Sequence, residues 1–410
     1  MAKIGALRAY IVLRFFSALF FAAVVTVNLV YQATVVGLNP FQLVLVGALL
    51  ELTCFVFEVP TGIVADLYSR KLSVIIGVVL VGAGFVFEGL NPTFSGVLIA
   101  QVIWGFGYTF ISGAREAWIA DEVGELDAGM AFIKAQQAAQ AGAFIGIAVS
   151  MILANIDIRL PIVIGGLLYG AQAVFIALFM SEKKFVPTPA PKRETFRSMW
   201  NVFSKGIGLV RHNNTLLVIM ATGLLFGAFS EGIDRLWTPY MIQSFAFPSI
   251  GGLKPVVWFG IISMAALALG MMITEIFKRN TDLSGHHSTV KALFLSNTAL
   301  IVAVMGFGLA ANFWVAAAFY CAIAAFREIR TPLYDAWANQ NVTSNVRATV
   351  FSMFSQADSI AQVVGGPILG LIASIAAIKV GIIAAGLILA PTLLFYVYSM
   401  RNHKLAAKKM

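Results

Sequence analysis

The residues of this chain best suited to chemistry are carboxylates standing inside long apolar runs, and the chemistry they suit is proton binding. Glu51 and Glu58 stand seven residues apart in one such run, so on a helix they share a face. Asp358 stands in another, with no basic residue close to it in sequence. An acid held away from water can exchange its charge for a proton, so all three are candidates for proton coupling. Glu58 has a second reading, an ion pair with Arg14 or Arg115. Glu231, Asp234 and Arg235 put three charges into five residues just ahead of Trp237 and Pro239. They either neutralise one another or offer charge to a bound solute, and Pro239 should kink or break the helix there. Gln136 and Gln140 share a helical face, and Asn28, Tyr31 and Gln32 lie together in the first apolar run. Both sets can hydrogen-bond a solute or simply a neighbouring helix.

Other chemistries find little support. Cys54 and Cys321 are the two cysteines, both within apolar runs, which implies no disulfide framework and no metal site. The pair His286-His287 is too little for a metal without a further ligand. No phosphate-binding loop of the G-x-x-x-x-G-K-[ST] type occurs, which argues against direct ATP drive. No cofactor is implied and no enzyme active site is apparent.

The elements that must hold these residues follow from composition. The chain has 410 residues, 60% hydrophobic and 11% charged, against about 25% charged for a soluble domain. Its mean hydropathy is +0.88. Lipid is therefore the solvent. Twelve runs are long enough to cross a bilayer: 9–35, 40–65, 72–90, 95–119, 129–153, 160–181, 214–243, 255–277, 290–310, 313–333, 349–375 and 378–400. The first is read as a retained transmembrane helix rather than a cleaved signal. The short connections on one side hold Arg159, Lys254 and Lys379 as their basic residues. The other side and both ends hold Lys3, Arg8, Arg70, Lys71, Lys183, Lys184, Arg211, Lys278, Arg279, Arg347, Arg401 and others. This asymmetry predicts cytoplasmic termini in an inner membrane. It also accounts for the net charge of +9 without nucleic acid.

The longest connection, 182–213, begins with Pro187, Pro189 and Pro191 and continues with apolar and basic residues at helical spacing. It reads as a linker followed by an interfacial helix over about Thr195–Arg211. It separates an N-terminal six-helix bundle, 1–181, from a C-terminal one, 214–410. The two halves repeat. Gly62, Asp66, Arg70 and Lys71 after span 2 are echoed by Gly270, Glu275, Lys278 and Arg279 after span 8. Glu116-Ala-Trp118 is echoed by Asp335-Ala-Trp337, and Gly142/Gly146 by Gly366/Gly370. The glycine pairs are read as close-packing surfaces. A parallel repeat of this kind predicts a solute site between the halves near the midplane.

On these residues the chain resembles the major facilitator superfamily over nearly its whole length. The family's loop 2–3 motif, G-x-L-A-D-R-x-G-R-K/R, is met by Gly62, Val64, Ala65, Asp66, Arg70 and Lys71. The chain departs from it at Leu67 and Ser69. Phe57-Glu58-Val59-Pro60-Thr61 looks like the tetracycline-type and multidrug efflux branches. Two further efflux motifs are altered: Gln101 stands where span 4 usually has Arg, and Ala143 where span 5 usually has Pro. The resemblance implies an all-α fold of twelve helices and a gate formed by Gly62, Asp66, Arg70 and Lys71. Arg115, Glu116 and Asp121 at the end of span 4, and Arg327, Glu328, Arg330 and Asp335 at the end of span 10, would add gating ion pairs. The leading expectation is a monomeric, proton-coupled exporter of hydrophobic or cationic small molecules. A symporter or facilitator importing a polar nutrient, or a lipid flippase, stands as the alternative.

Overall fold

In a computed structural model, the structure describes residues 5–187, 204, 208, 210–211, 213–280, 285–342 and 347–407. The interfacial helix expected over 195–211 lies almost wholly outside the described residues. These fold into fourteen helical segments. They are α1 (Ala6–Thr34), α2 (Pro40–Leu67), α3 (Arg70–Leu90), α4 (Phe94–Ile111), α5 (Ala114–Val123), α6 (Glu125–Ile156) and α7 (Arg159–Phe179). There follow α8 (Asn214–Ser244), α9 (Pro255–Asn280), α10 (His286–Gly308), α11 (Phe313–Asn341), α12 (Arg347–Ile375), α13 (Ile378–Ile388) and α14 (Ala390–Ala407). Counting α4–α5 and α13–α14 as one crossing each, eleven among the described residues are long and apolar enough to span a membrane. The remaining long helix, α11, carries Arg327, Glu328, Arg330 and Asp335 in its second half.

Helix starts follow the local sequence. The Thr93 hydroxyl accepts from Gly96 N at 3.0 Å, Asn312 Oδ1 from Val315 N at 3.0 Å, and Ser69 Oγ from Leu72 N at 2.9 Å. Each satisfies an amide that a first helical turn leaves open. Three sequence expectations are corrected. The run 95–119 is not one helix, because Gly113, at φ 74°, turns the chain between α4 and α5. Pro239 does not break α8, which runs through it to Ser244, close to the end read at 243. Arg327 and Arg330 lie inside α11, which continues past the expected end at 333 to Asn341, rather than at its terminus.

The chain divides into two compact units. One comprises Met1–Leu38, Leu49–Met199 and Ser249–Gly260, the other Asn39–Ala48, Trp200–Pro248 and Ile261–Met410. In the first unit α1 packs on α6 and α7, and α3 on α4 and α7; in the second, α8 packs on α12 and α13, and α10 on α11, α13 and α14. Taken in chain order, these partners repeat from one unit to the other.

Between helices in lipid, close van der Waals packing replaces the hydrophobic drive available in water. Small residues make it possible here. A Cβ on Gly142 would fall 2.2 Å from Phe15 O, and one on Gly146 2.2 Å from Leu19 O, so α6 lies directly on the backbone of α1. Gly82 and Gly166 do the same for α3 and α7. The second unit closes around Trp337, Tyr396, Leu333 and Val350, all fully buried.

Candidate functional site

In the first unit one end of the α1–α3–α4 packing, where α3 finishes, holds a polar cluster inside an apolar shell. Its centre is Glu88, two residues from the end of α3 and 0% exposed. Asn28 Nδ2 donates to Glu88 Oε1 at 2.9 Å, and Gln32 Nε2 to the same oxygen at 2.7 Å. Gln32 also donates to Asn28 Oδ1 at 2.7 Å. The Tyr31 hydroxyl donates to the Glu88 backbone carbonyl at 2.9 Å. From α4, Gln101 Nε2 faces Glu88 Oε2 at 3.4 Å, and Trp104 Nε1 donates to Gln101 Oε1 at 2.9 Å. Helical spacing builds this set: Asn28 and Gln32 are four apart on α1, and Gln101 and Trp104 three apart on α4.

Sequence reasoning named Asn28, Tyr31, Gln32 and Gln101 but missed Glu88, the acid they surround. The signal was present as one carboxylate between Phe87 and Gly89 in an apolar run.

Trp104 joins this cluster to a cavity of about 530 Å³ within the same unit. Its walls include Phe21, Trp104, Tyr108 and Tyr169, with Arg14, Arg115 and Glu116 as the charged groups. Arg14 Nη2 donates to Gln136 Oε1 at 2.9 Å, and Arg115 Nη2 lies 2.9 Å from Glu116 Oε1. So Gln136 stands at the cavity edge through Arg14, whereas Gln140 is not among the lining residues. Glu51 is half-buried and Glu58 exposed on α2.

At the start of α3, Arg70 forms an ion pair with Asp121 of α5. Glu182 fixes the same turn by accepting from Ser69 Oγ at 2.5 Å and Lys71 N at 3.1 Å.

In the second unit the charges of α8 divide between two partners. Glu231 Oε1 accepts from Arg235 Nε at 3.0 Å, one turn on, while Asp234 pairs with Arg327 of α11. Ser230 Oγ accepts from Arg327 Nη2 and donates to Asp234 Oδ2 at 3.2 Å. Glu231 is buried, and a Cβ on either Gly47 or Gly366 would collide with its side chain. The three-charge cluster read from sequence is thus two separate pairs. Arg330 lies 3.5 Å over the Phe226 ring, a cation–π contact. On α12, Asp358 Oδ2 accepts from Gln362 Nε2 at 2.9 Å, and Gly227 of α8 leaves room for this acid. Phe226, Thr274, Arg327, Glu328 and Thr331 line a second cavity of about 590 Å³. Among the described residues no group of three or more His, Cys, Asp or Glu could hold a metal ion.

Apolar helices of spanning length, with ionisable side chains and cavities inside the packed units, define a multi-span membrane protein. Its sequence matches the Major Facilitator Superfamily over residues 10–285, and the chain belongs to that family. It is therefore a transporter and not an enzyme. It is 23% identical over 348 residues to the uncharacterized MFS-type transporter YxaM of Bacillus subtilis (strain 168), with 81% of each chain covered. The fold is similar to that of the nucleoside transporter NupG at a TM-score of 0.76 and 13% identity, covering 97% of this chain and 99% of that one. A POT family transporter in complex with 5-aminolevulinic acid gives a TM-score of 0.72 at 13% identity, with 96% of both chains covered.

Proposed function

We propose that this chain is a proton-coupled secondary transporter that exports hydrophobic small molecules by alternating access. In this reading twelve helices form two six-helix bundles, 1–181 and 214–410, in the inner membrane, with both termini cytoplasmic. The observation that carries the reading is the cavity of the first unit. Phe21, Trp104, Tyr108 and Tyr169 suit a flat apolar body, and Arg14, Arg115 and Glu116 provide charged handles of both signs. Glu51, Glu58 and Asp358 are the acids proposed to carry protons. The resemblance of residues 57–61 to efflux branches supports the outward direction.

Two guanidinium groups on that wall favour a second reading, transport of a polar solute bearing a carboxylate or phosphate. A nucleoside and an amino acid figure in the names of the structural relatives, but at 13% identity the likeness bears on the fold. Thermal stabilisation of the purified protein separates the readings, because a ligand stabilises the folded state by mass action. A hydrophobic cationic dye or a neutral aromatic compound should raise the melting temperature, and Phe21→Ala should reduce that rise. Stabilisation by organic acids alone would replace the first reading with the second.

A further inference from the structure

The geometry points to Glu88 as a proton-binding residue of the transport cycle, with Gln101 passing its charge state to Trp104 in the cavity wall. This rests on the reading of the chain as proton-coupled. A buried carboxyl group that changes charge needs neighbours able to serve both forms. Amide side chains can do so, since each has a donor end and an acceptor end. Glu88 is held this way, by Asn28 and Gln32 on Oε1 and by Gln101 on Oε2.

The two oxygens differ. Oε1 receives two close amide donors at 2.9 and 2.7 Å, whereas Oε2 meets the Gln101 amide at 3.4 Å. Oε2 is the oxygen that takes the proton. With Glu88 charged, Gln101 turns its NH2 to the carboxylate and its oxygen to Trp104 Nε1 at 2.9 Å. With Glu88 neutral, Oε2–H is a donor and needs the Gln101 oxygen. The amide then reverses, its NH2 faces the indole N–H, and two donors oppose each other. Trp104 loses its anchor. One proton is gained at Oε2, one hydrogen bond to the indole breaks, and a wall of the cavity is released. The cost of leaving a buried donor unmade gives the switch its force.

From α1 there is Tyr31, whose hydroxyl is engaged with the Glu88 carbonyl. From α7 there is Arg159, exposed at the head of the helix, whose charge acts on Tyr31. From α4 come the neutral Gln101 and Trp104. In the major facilitator pattern an arginine would stand at 101. Here an amide takes that place, and it can reverse where a guanidinium, all donor, cannot.

The test is a pH titration of the purified full chain, followed by infrared difference spectroscopy and tryptophan emission. The wild type should show a protonated-carboxyl band and an emission change with one shared midpoint. Glu88→Gln should abolish the emission change together with the part of the band that shares its midpoint, leaving only what Glu51, Glu58 and Asp358 contribute. Gln101→Met should keep the band and lose the emission change, as should Trp104→Phe. A folded Glu88→Gln protein whose band at the shared midpoint is undiminished from the wild type overturns the proposal, and so does an emission change that persists undiminished in Trp104→Phe. If Glu88→Gln fails to fold, Glu88→Asp serves, since a carboxyl one methylene shorter should titrate with a shifted midpoint; an unchanged midpoint is contrary. None of these readouts requires transport, so a wild type that transports without protons would defeat the functional reading separately.

Discussion

Arg327 of α11 holds Asp234 of α8 by both carboxylate oxygens, Nη1 to Oδ1 and, at 2.8 Å, Nη2 to Oδ2. This leaves Glu231 to Arg235, 3.0 Å away on the next turn. The two acids should therefore respond differently. Glu231→Gln strands a guanidinium beside a buried site, and losing one member of a buried pair costs about 3–5 kcal/mol. A lowered melting temperature, with equal loss of affinity for a cationic and a neutral ligand, is expected. Asp234→Asn should be milder, because that carboxylate is more exposed, and the exchange Asp234→Arg with Arg327→Asp should recover part of the loss.

Gly142→Val should damage the first unit more than Ala141→Val on the same helix. Its Cβ would fall on the Phe15 carbonyl oxygen, a backbone atom that no side-chain rotation can move aside. Overpacking of this kind costs about 1–3 kcal/mol. Reduced yield and a lower melting temperature of purified Gly142→Val are the expected results.

Much of this was legible in the sequence. Apolar run lengths gave the helices, and Gly142/Gly146 gave a packing surface, because lipid exposure and close approach leave strong one-dimensional signals. The loop motif singled out Arg70 but not its partner, Asp121 of α5. What escaped was partner choice across helices. Asp234 and Arg327 are 93 positions apart, and nothing in either neighbourhood announces the other. Glu88 was overlooked for a related reason: its significance comes from Asn28, Gln32 and Gln101 converging from two other helices. The break at Gly113 was hidden because a glycine in an apolar run is as often a packing contact as a turn.

The pairing of Arg70 with Asp121 moves the expected latch. Asp121→Asn should increase cysteine labelling of the inner face of the first unit and lower transport while expression holds. Asp66→Asn should have a smaller effect on the same labelling, since Arg70 turns to α5. Equal effects would return Asp66 to the role read from the motif.

Glu51→Gln and Asp358→Asn should each remove accumulation against a gradient while leaving downhill movement. Both isosteres keep volume, and Asp358→Asn retains an oxygen for the Gln362 amide that now meets Asp358 at 2.9 Å. Counterflow measured beside gradient-driven uptake checks this. Full accumulation in both variants would remove these residues from the coupling path.

Proton coupling itself is tested most directly with the wild-type protein in everted membrane vesicles supplied with a hydrophobic fluorescent dye. An imposed pH gradient, acid inside, should drive dye accumulation with no ATP present, and an uncoupler should collapse it to the level of vesicles lacking the protein. Accumulation that survives the uncoupler, or that never exceeds equilibration under the gradient, would contradict the account.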